Sequence, residues 1–115
     1  MTSNKEWNQI SDLSDLKLIK QESNKKKVLI FKHSTRCGTS RMVLRSFETK
    51  LTELNKNYEL YYLDLLQYRA ISNAIEAEFQ VKHESPQLLI IENEKAVNSA
   101  AHYDIIELTE LMVKG

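Results

Sequence analysis

The chain has 115 residues, 42% hydrophobic and 28% charged, with 16 Lys+Arg against 16 Asp+Glu. That length suits one domain over residues 1–115, and the composition is that of a chain that folds around a core. A formal net charge of zero argues against nucleic-acid or membrane-surface binding.

The segment Met1–Trp7 has no apolar stretch of the kind that forms a secretory leader. The longest apolar run, Leu88-Leu89-Ile90-Ile91, falls far short of the roughly 20 residues that span a bilayer. A single cysteine excludes an internal disulfide and, within one chain, a multi-cysteine zinc site. These features read as a reduced, cytoplasmic protein.

A short strand is expected around Trp7–Ile10. Ser11 or Ser14 is placed to cap a helix running to about Glu22, with Leu13, Leu16 and Ile19 at helical spacing. Lys26 to His33 holds Val28-Leu29-Ile30-Phe31, a continuous β-rich run of the kind found in buried central strands. After the polar loop Ser34-Thr35-Arg36, a helix is predicted from Cys37, with Leu44, Phe47, Leu51 and Leu54 along one face. Tyr58–Leu66 reads as a strand and Arg69–Gln80 as a helix with an apolar stripe of Ile71, Ala74, Ile75 and Phe79. Pro86 opens a strand over Gln87–Ile91, a position where its missing N–H is tolerated. Glu92-Asn93-Glu94-Lys95 then turns the chain into a second hairpin arm, Ala96–Ala101. Asp104 is placed to cap the last helix, with Ile105, Leu108, Thr109 and Met112 inward.

Strands joined through helices are expected to run parallel by right-handed crossover, and the terminal hairpin adds antiparallel pairing. The fold class is therefore α/β, a thioredoxin-like mixed sheet of four or five strands with helices on both faces.

Cys37 is the leading candidate for chemistry. An isolated cysteine is by default an inert buried hydrophobe, but this one follows a strong strand and opens a helix. The first-turn N–H groups there lack intrahelical partners and favour negative charge. Thiols so placed commonly titrate between about 3.5 and 7.5 instead of about 8.5, each unit being worth about 1.4 kcal/mol. Arg36 adjoins the sulfur in sequence. Gly38 leaves room for a bulky partner, and the hydroxyls of Thr39 and Ser40 can donate to the thiolate or to a ligand. Ser40 stands where Cys-x-x-Cys has its second cysteine, so the chemistry must be that of one thiol.

Pro86, the sole proline, reads as a cis bond after Ser85. In thioredoxin-like folds such a proline faces the active cysteine, and the residue before it offers backbone bonds to a bound thiol partner. Of the three histidines, His33 is placed to stabilise the thiolate electrostatically. His83 and Glu84 would shape the loop before Pro86, and His102 with Asp104 would form a groove edge. Their spacing supports no metal site. Asp64, at the end of its strand, reads as a cap.

The segments Phe31-Lys32-His33-Ser34-Thr35-Arg36-Cys37-Gly38-Thr39-Ser40, Tyr61-Tyr62-Leu63-Asp64 and Val81-Lys82-His83-Glu84-Ser85-Pro86-Gln87 resemble the bacillithiol-system redox-active family YtxJ, the monothiol bacilliredoxin-like general stress proteins. The likeness runs from about Trp7 to Leu111. It implies a thioredoxin fold and the removal of bacillithiol from proteins by thiol–disulfide exchange through Cys37. S-thiolated client proteins would be the partners and the low-molecular-weight thiol a co-substrate, with no bound cofactor. Two other classes stay open. Cys37-Gly38-Thr39-Ser40 also resembles the Cys-Gly-Phe-Ser of monothiol glutaredoxins, which carry an iron–sulfur cluster, and a non-catalytic thioredoxin-like stress or binding module is the third.

Overall fold

The computed structural model describes residues 7–114. Met1–Glu6, most of the segment read above for a leader, and Gly115 lie outside the described residues. In chain order the elements are β1 (Asn8–Gln9), α1 (Ser14–Glu22), β2 (Val28–His33), α2 (Gly38–Glu48), α3 (Leu51–Leu54), β3 (Glu59–Asp64), α4 (Arg69–Phe79), β4 (Gln87–Glu92), β5 (Lys95–Ala101) and α5 (Asp104–Lys114). The strands form one five-stranded sheet in the order β1-β3-β2-β4-β5.

β2 is the centre of this arrangement, and all six of its residues are buried. It pairs with β3 in parallel on one edge and with β4 in antiparallel on the other. Alternate residues face opposite layers, as the pleat requires. Val28 and Ile30 pack with Ile19 of α1 and Ile71 and Ile75 of α4. Leu29 and Phe31 pack with Val43 and Phe47 of α2, Leu51 and Leu54 of α3, and Ile105 of α5. A strand with no wet face has no reason to alternate polar and apolar residues, which is why this one reads as a continuous apolar run. Each fully buried side chain of this size contributes about 1.5–3 kcal/mol.

Three local expectations change. The first helix is capped by neither Ser11 nor Ser14. Asp12 accepts from the Ser14 N–H at 2.9 Å, while Asp15 reaches back to the N–H groups of Ser11 and Asp12 at 3.0 and 3.2 Å. This is a capping box built on two aspartates. The single helix expected from Cys37 to Leu54 is two, broken at Thr49–Lys50. The Thr49 hydroxyl donates to the Ser46 carbonyl at 2.6 Å, and the N–H groups of Thr49 and Lys50 bond three residues back, which tightens the last turn of α2. Phe47, Leu51 and Leu54 still share one core.

The third change bears on the site. β4 follows a helix yet runs antiparallel to β2, and hence to β3. Gln80 ends α4 in the left-handed region at φ 57°, so the chain reverses there. It then returns alongside the helix, where the His83 N–H donates to the Glu76 carboxylate at 3.0 Å. Seven residues, Gln80–Pro86, thus carry the chain back before β4 begins.

The expected hairpin joins β4 to β5 through Asn93 and Glu94, at φ 52° and 69°. Two left-handed residues in a two-residue loop match the twist of the arms but suit Asn better than Glu. Ser23 supports the strained pair. Its carbonyl accepts the Asn93 N–H and its hydroxyl the Glu94 N–H, both at 2.9 Å.

Trp7 lies 5.6 Å from the Phe47 ring and 6.3 Å from Phe31, so the edge of the sheet is sealed by aromatic contacts. Phe47→Ala should lower the unfolding free energy by about 3–5 kcal/mol. Leu111→Ala, at a side chain 68% exposed, should change it by no more than about 0.5 kcal/mol. Denaturant titration of the two variants checks the difference.

Candidate active site

Cys37 is the N-cap of α2, with extended backbone at φ −98° and ψ 121°, and is partly exposed. Its carbonyl accepts the first helical bond, from the Arg41 N–H at 3.0 Å. Its sulfur takes the role that Ser or Asp usually plays at such a position, accepting the Ser40 backbone N–H at 3.4 Å. Negative charge on the sulfur is thereby met by a peptide dipole and by the N-terminal end of an 11-residue helix.

Ser40 is fully buried, and its hydroxyl does not reach the sulfur as the sequence suggested. The hydroxyl oxygen accepts the Ser34 N–H at 3.1 Å and lies 2.7 Å from His33 Nδ1. The Ser40 hydroxyl thus accepts from the Ser34 peptide while sharing a second hydrogen bond with the imidazole of His33. Only the backbone of Ser40 serves Cys37. Its side chain locks the turn Ser34–Cys37 onto the end of β2.

His33 is likewise not a cation beside the thiol. Burial pulls its pKa below the ordinary histidine value, the nearby Arg41 charge adds to that, and Asp64 opposes it. The ring is uncharged at neutral pH and lies tilted against Tyr62, centroids 5.9 Å apart. Tyr62 is pushed up to about 12 by burial and by Asp64 and Glu48, so it too is neutral. Asp64 caps, as expected, but what it caps is the turn after β3, accepting from the N–H groups of Leu66 and Gln67 at 3.2 and 3.4 Å.

Arg36 is exposed and makes no hydrogen bond or ion pair among the described residues. The cation held at the loop is Arg41, which donates to the Thr35 carbonyl at 3.1 Å. Its Nη2 would lie 3.9 Å from a Cβ added to Gly38, an ordinary contact, so the space over exposed Gly38 is open. Thr39 is partly buried beside it in the first turn.

The Ser85–Pro86 bond is cis. The ladder between β2 and β4 pairs Lys32 with Gln87, so continuing it one step sets His33 against Pro86. The Ser34–Cys37 turn and the His83–Pro86 segment therefore leave the sheet side by side. Pro86 is buried, and its carbonyl accepts the His102 N–H at 3.1 Å, which brings the start of α5 to the same edge. His102 Nε2 stands 3.9 Å from Glu84 Oε1 on the surface, and exposed Asp104 begins α5. The Ser85 hydroxyl is buried without a partner among the described residues. Sequence reasoning passed over Arg41 and the grouping of buried Lys32 and Ser72 with half-buried Glu76 and His83. Its one visible signal was a lysine inside a strand with two buried faces.

Residues 8–110 match the family described as Monothiol bacilliredoxin BrxC. The chain belongs to that family. Among solved structures it is similar to a protein described by its thioredoxin fold, at 27% identity and TM-score 0.82, covering 100% of this chain and 99% of that one. Mitochondrial thioredoxin 3 of Saccharomyces cerevisiae superposes with TM-score 0.74 at 17% identity, over 99% and 100% of the two chains. Malassezia sympodialis thioredoxin gives 0.73 at 20% identity, over 92% and 87%. The fold is thioredoxin-like, and membership of the bacilliredoxin family gives the chain a thiol redox role. No helix among the described residues is long and apolar enough to cross a membrane.

A histidine whose folded-state pKa is depressed contributes stability that is present above its unfolded value of about 6.5 and lost as pH falls through the folded one. The unfolding free energy should therefore decline from pH 7 to pH 5. His33→Asn keeps an acceptor for Ser40 but does not titrate, and should reduce that slope, leaving the part due to His83, which is depressed in the same sense. Denaturant unfolding across this range tests it, and an unchanged slope would show that His33 is protonated as readily in the fold as in the unfolded chain.

Proposed function

We propose that the protein is a monothiol thiol–disulfide oxidoreductase that removes bacillithiol, or a similar low-molecular-weight thiol, from mixed disulfides on client proteins. The observation that carries this reading is a partly exposed cysteine sulfur at a helix N-cap, with a buried serine hydroxyl at the site of the absent second thiol.

The Cys37 thiolate attacks the small thiol's sulfur in the mixed disulfide. A new sulfur–sulfur bond forms at Cys37, the old one breaks, and the client leaves as a thiolate that takes a proton from solvent. No side chain here can then attack the adduct from within, since the Ser40 hydroxyl cannot resolve a disulfide. A second small thiol, as thiolate, attacks the small thiol's sulfur on Cys37. This releases the Cys37 thiolate and the oxidised dimer of the small thiol. The N–H of Ser40, which stabilises the charged sulfur, also makes it a good leaving group in this second step.

The open face at Gly38 admits the substrate, with Thr39 and Arg36 at its margin. Ser85 and Pro86 align the incoming disulfide, and His102 and Asp104 border the groove. The small thiol enters as co-substrate, so no resident cofactor is needed.

Exposure to oxidised bacillithiol should add one small-thiol mass at Cys37, removable by the free thiol, and intact-mass spectrometry reads both steps. Cys37→Ser should abolish the adduct and the release of thiol from an S-thiolated protein. Failure of the native chain to form an adduct with either bacillithiol or glutathione disulfide would overturn the proposal.

A further inference from the structure

Lys32 takes no part in the exchange steps, yet it is fully buried in β2, five residues before Cys37. Its position in the pleat puts its side chain on the α4 face of the sheet, opposite the layer that holds His33 and Ser40. A buried ammonium is costly unless it is paired, so its neighbours are informative. Nζ lies 3.4 Å from the Ser72 carbonyl in α4 and 3.4 Å from His83 Nδ1. The Ser72 hydroxyl lies 3.3 Å from the same ring nitrogen. The His83 N–H donates to Glu76 at 3.0 Å, and Gln87, the cross-strand partner of Lys32, donates to the Lys82 carbonyl at 2.9 Å. The Gln87 Oε1, on the same face of the sheet, is buried without a partner among the described residues. All of these contacts converge on the stretch that ends at Ser85–Pro86.

We infer that Lys32 is a positioning residue for the thiol-docking edge: its amine ties the His83 ring to α4 and thereby sets where the Ser85–Pro86 segment stands relative to Cys37. The consequence for exchange rests on the function proposed above, whereas the tether itself does not.

The tether has a charge state. Burial pulls Lys32 down to about 8, with Glu76 pulling the other way. His83 is lowered by its burial and by Lys32 and Arg69, against Glu76 and Glu84, so it stays neutral while Lys32 changes. An ammonium donates to Nδ1 more strongly than a neutral amine. The segment is accordingly held most firmly below about pH 8 and less firmly above it.

Two measurements decide the matter. In the native chain, the backbone amide signals of His83 and Glu84, followed by NMR from pH 7 to 9.5, should shift with a midpoint near 8, and Lys32→Met should remove that transition. In de-thiolation kinetics, Lys32→Met should raise KM for an S-thiolated protein about fivefold at pH 7, the scale of one modest hydrogen bond, with kcat and the rate of Cys37 alkylation by iodoacetamide unchanged. Native KM should rise toward that of the variant as pH passes 8. A native segment that ignores pH over this range, or equal KM values for the two proteins, would overturn the inference. A native chain that transfers no thiol would instead sink the exchange reading, and the NMR titration would then decide the tether alone. Should Lys32→Met fail to fold, Lys32→Gln, which keeps a donor without the charge, is expected to lose the titration in the same way.

Discussion

Everything at the cysteine end of the molecule follows from β2 being covered on both faces while bonded along both edges. A strand in that position cannot shift register without moving a whole set of apolar side chains from one layer to the other. Its C-terminal end is therefore a rigid platform. Two polar residues close it, Lys32 facing α4 and His33 facing α2, and both are buried. The Cys37 turn hangs from the second and the segment before Pro86 leans on the first.

The two polar residues serve different ends at different energetic cost. His33 is neutral and pairs with a serine hydroxyl that is itself satisfied, so burying it is inexpensive. Lys32, held at about 8 against an ordinary 10.5, carries a burial penalty of about 3 kcal/mol below pH 8 that is relieved as pH rises towards 10.5. That is a large fraction of the roughly 5–15 kcal/mol that typically holds a domain together, so about a fifth to three-fifths of it can be at stake in one side chain. A methionine would pack there without the penalty. Proteins commonly give up stability in this way near sites where geometry matters more.

Much of this architecture was legible in the residues. The run Val28–Phe31 announced a two-sided strand, the Cys37–Ser40 segment a helix start, and Glu92–Lys95 a hairpin, each because the cause lies within a few residues of the effect. What misled were places where two local preferences compete. Thr49 can continue a helix or bond back to Ser46, and it does the latter. Asp12 and Asp15, not the serines beside them, take the free N–H groups at the start of α1. The direction of β4 was not legible, because it depends on the reversal at Gln80 and on Glu76 catching the returning chain.

At the site, residue types and spacing were enough to place Cys37, the chain's single thiol, at a helix start, and the resemblance of its flanking segments pointed to the family. They were not enough to say which neighbours act through charge and which through shape. Arg36 adjoins the sulfur in the chain but stands free among the described residues, whereas Arg41, one turn further on, is the cation held at the loop by Thr35. Ser40 points its hydroxyl away from the sulfur and only its peptide toward it. The partners of Lys32 come from α4 and from the segment after it, 40 and 51 residues away. Pattern along the chain reports which face of an element is apolar. Whether a buried polar group is charged, and what it holds in place, depends on groups that only packing brings within hydrogen-bond reach.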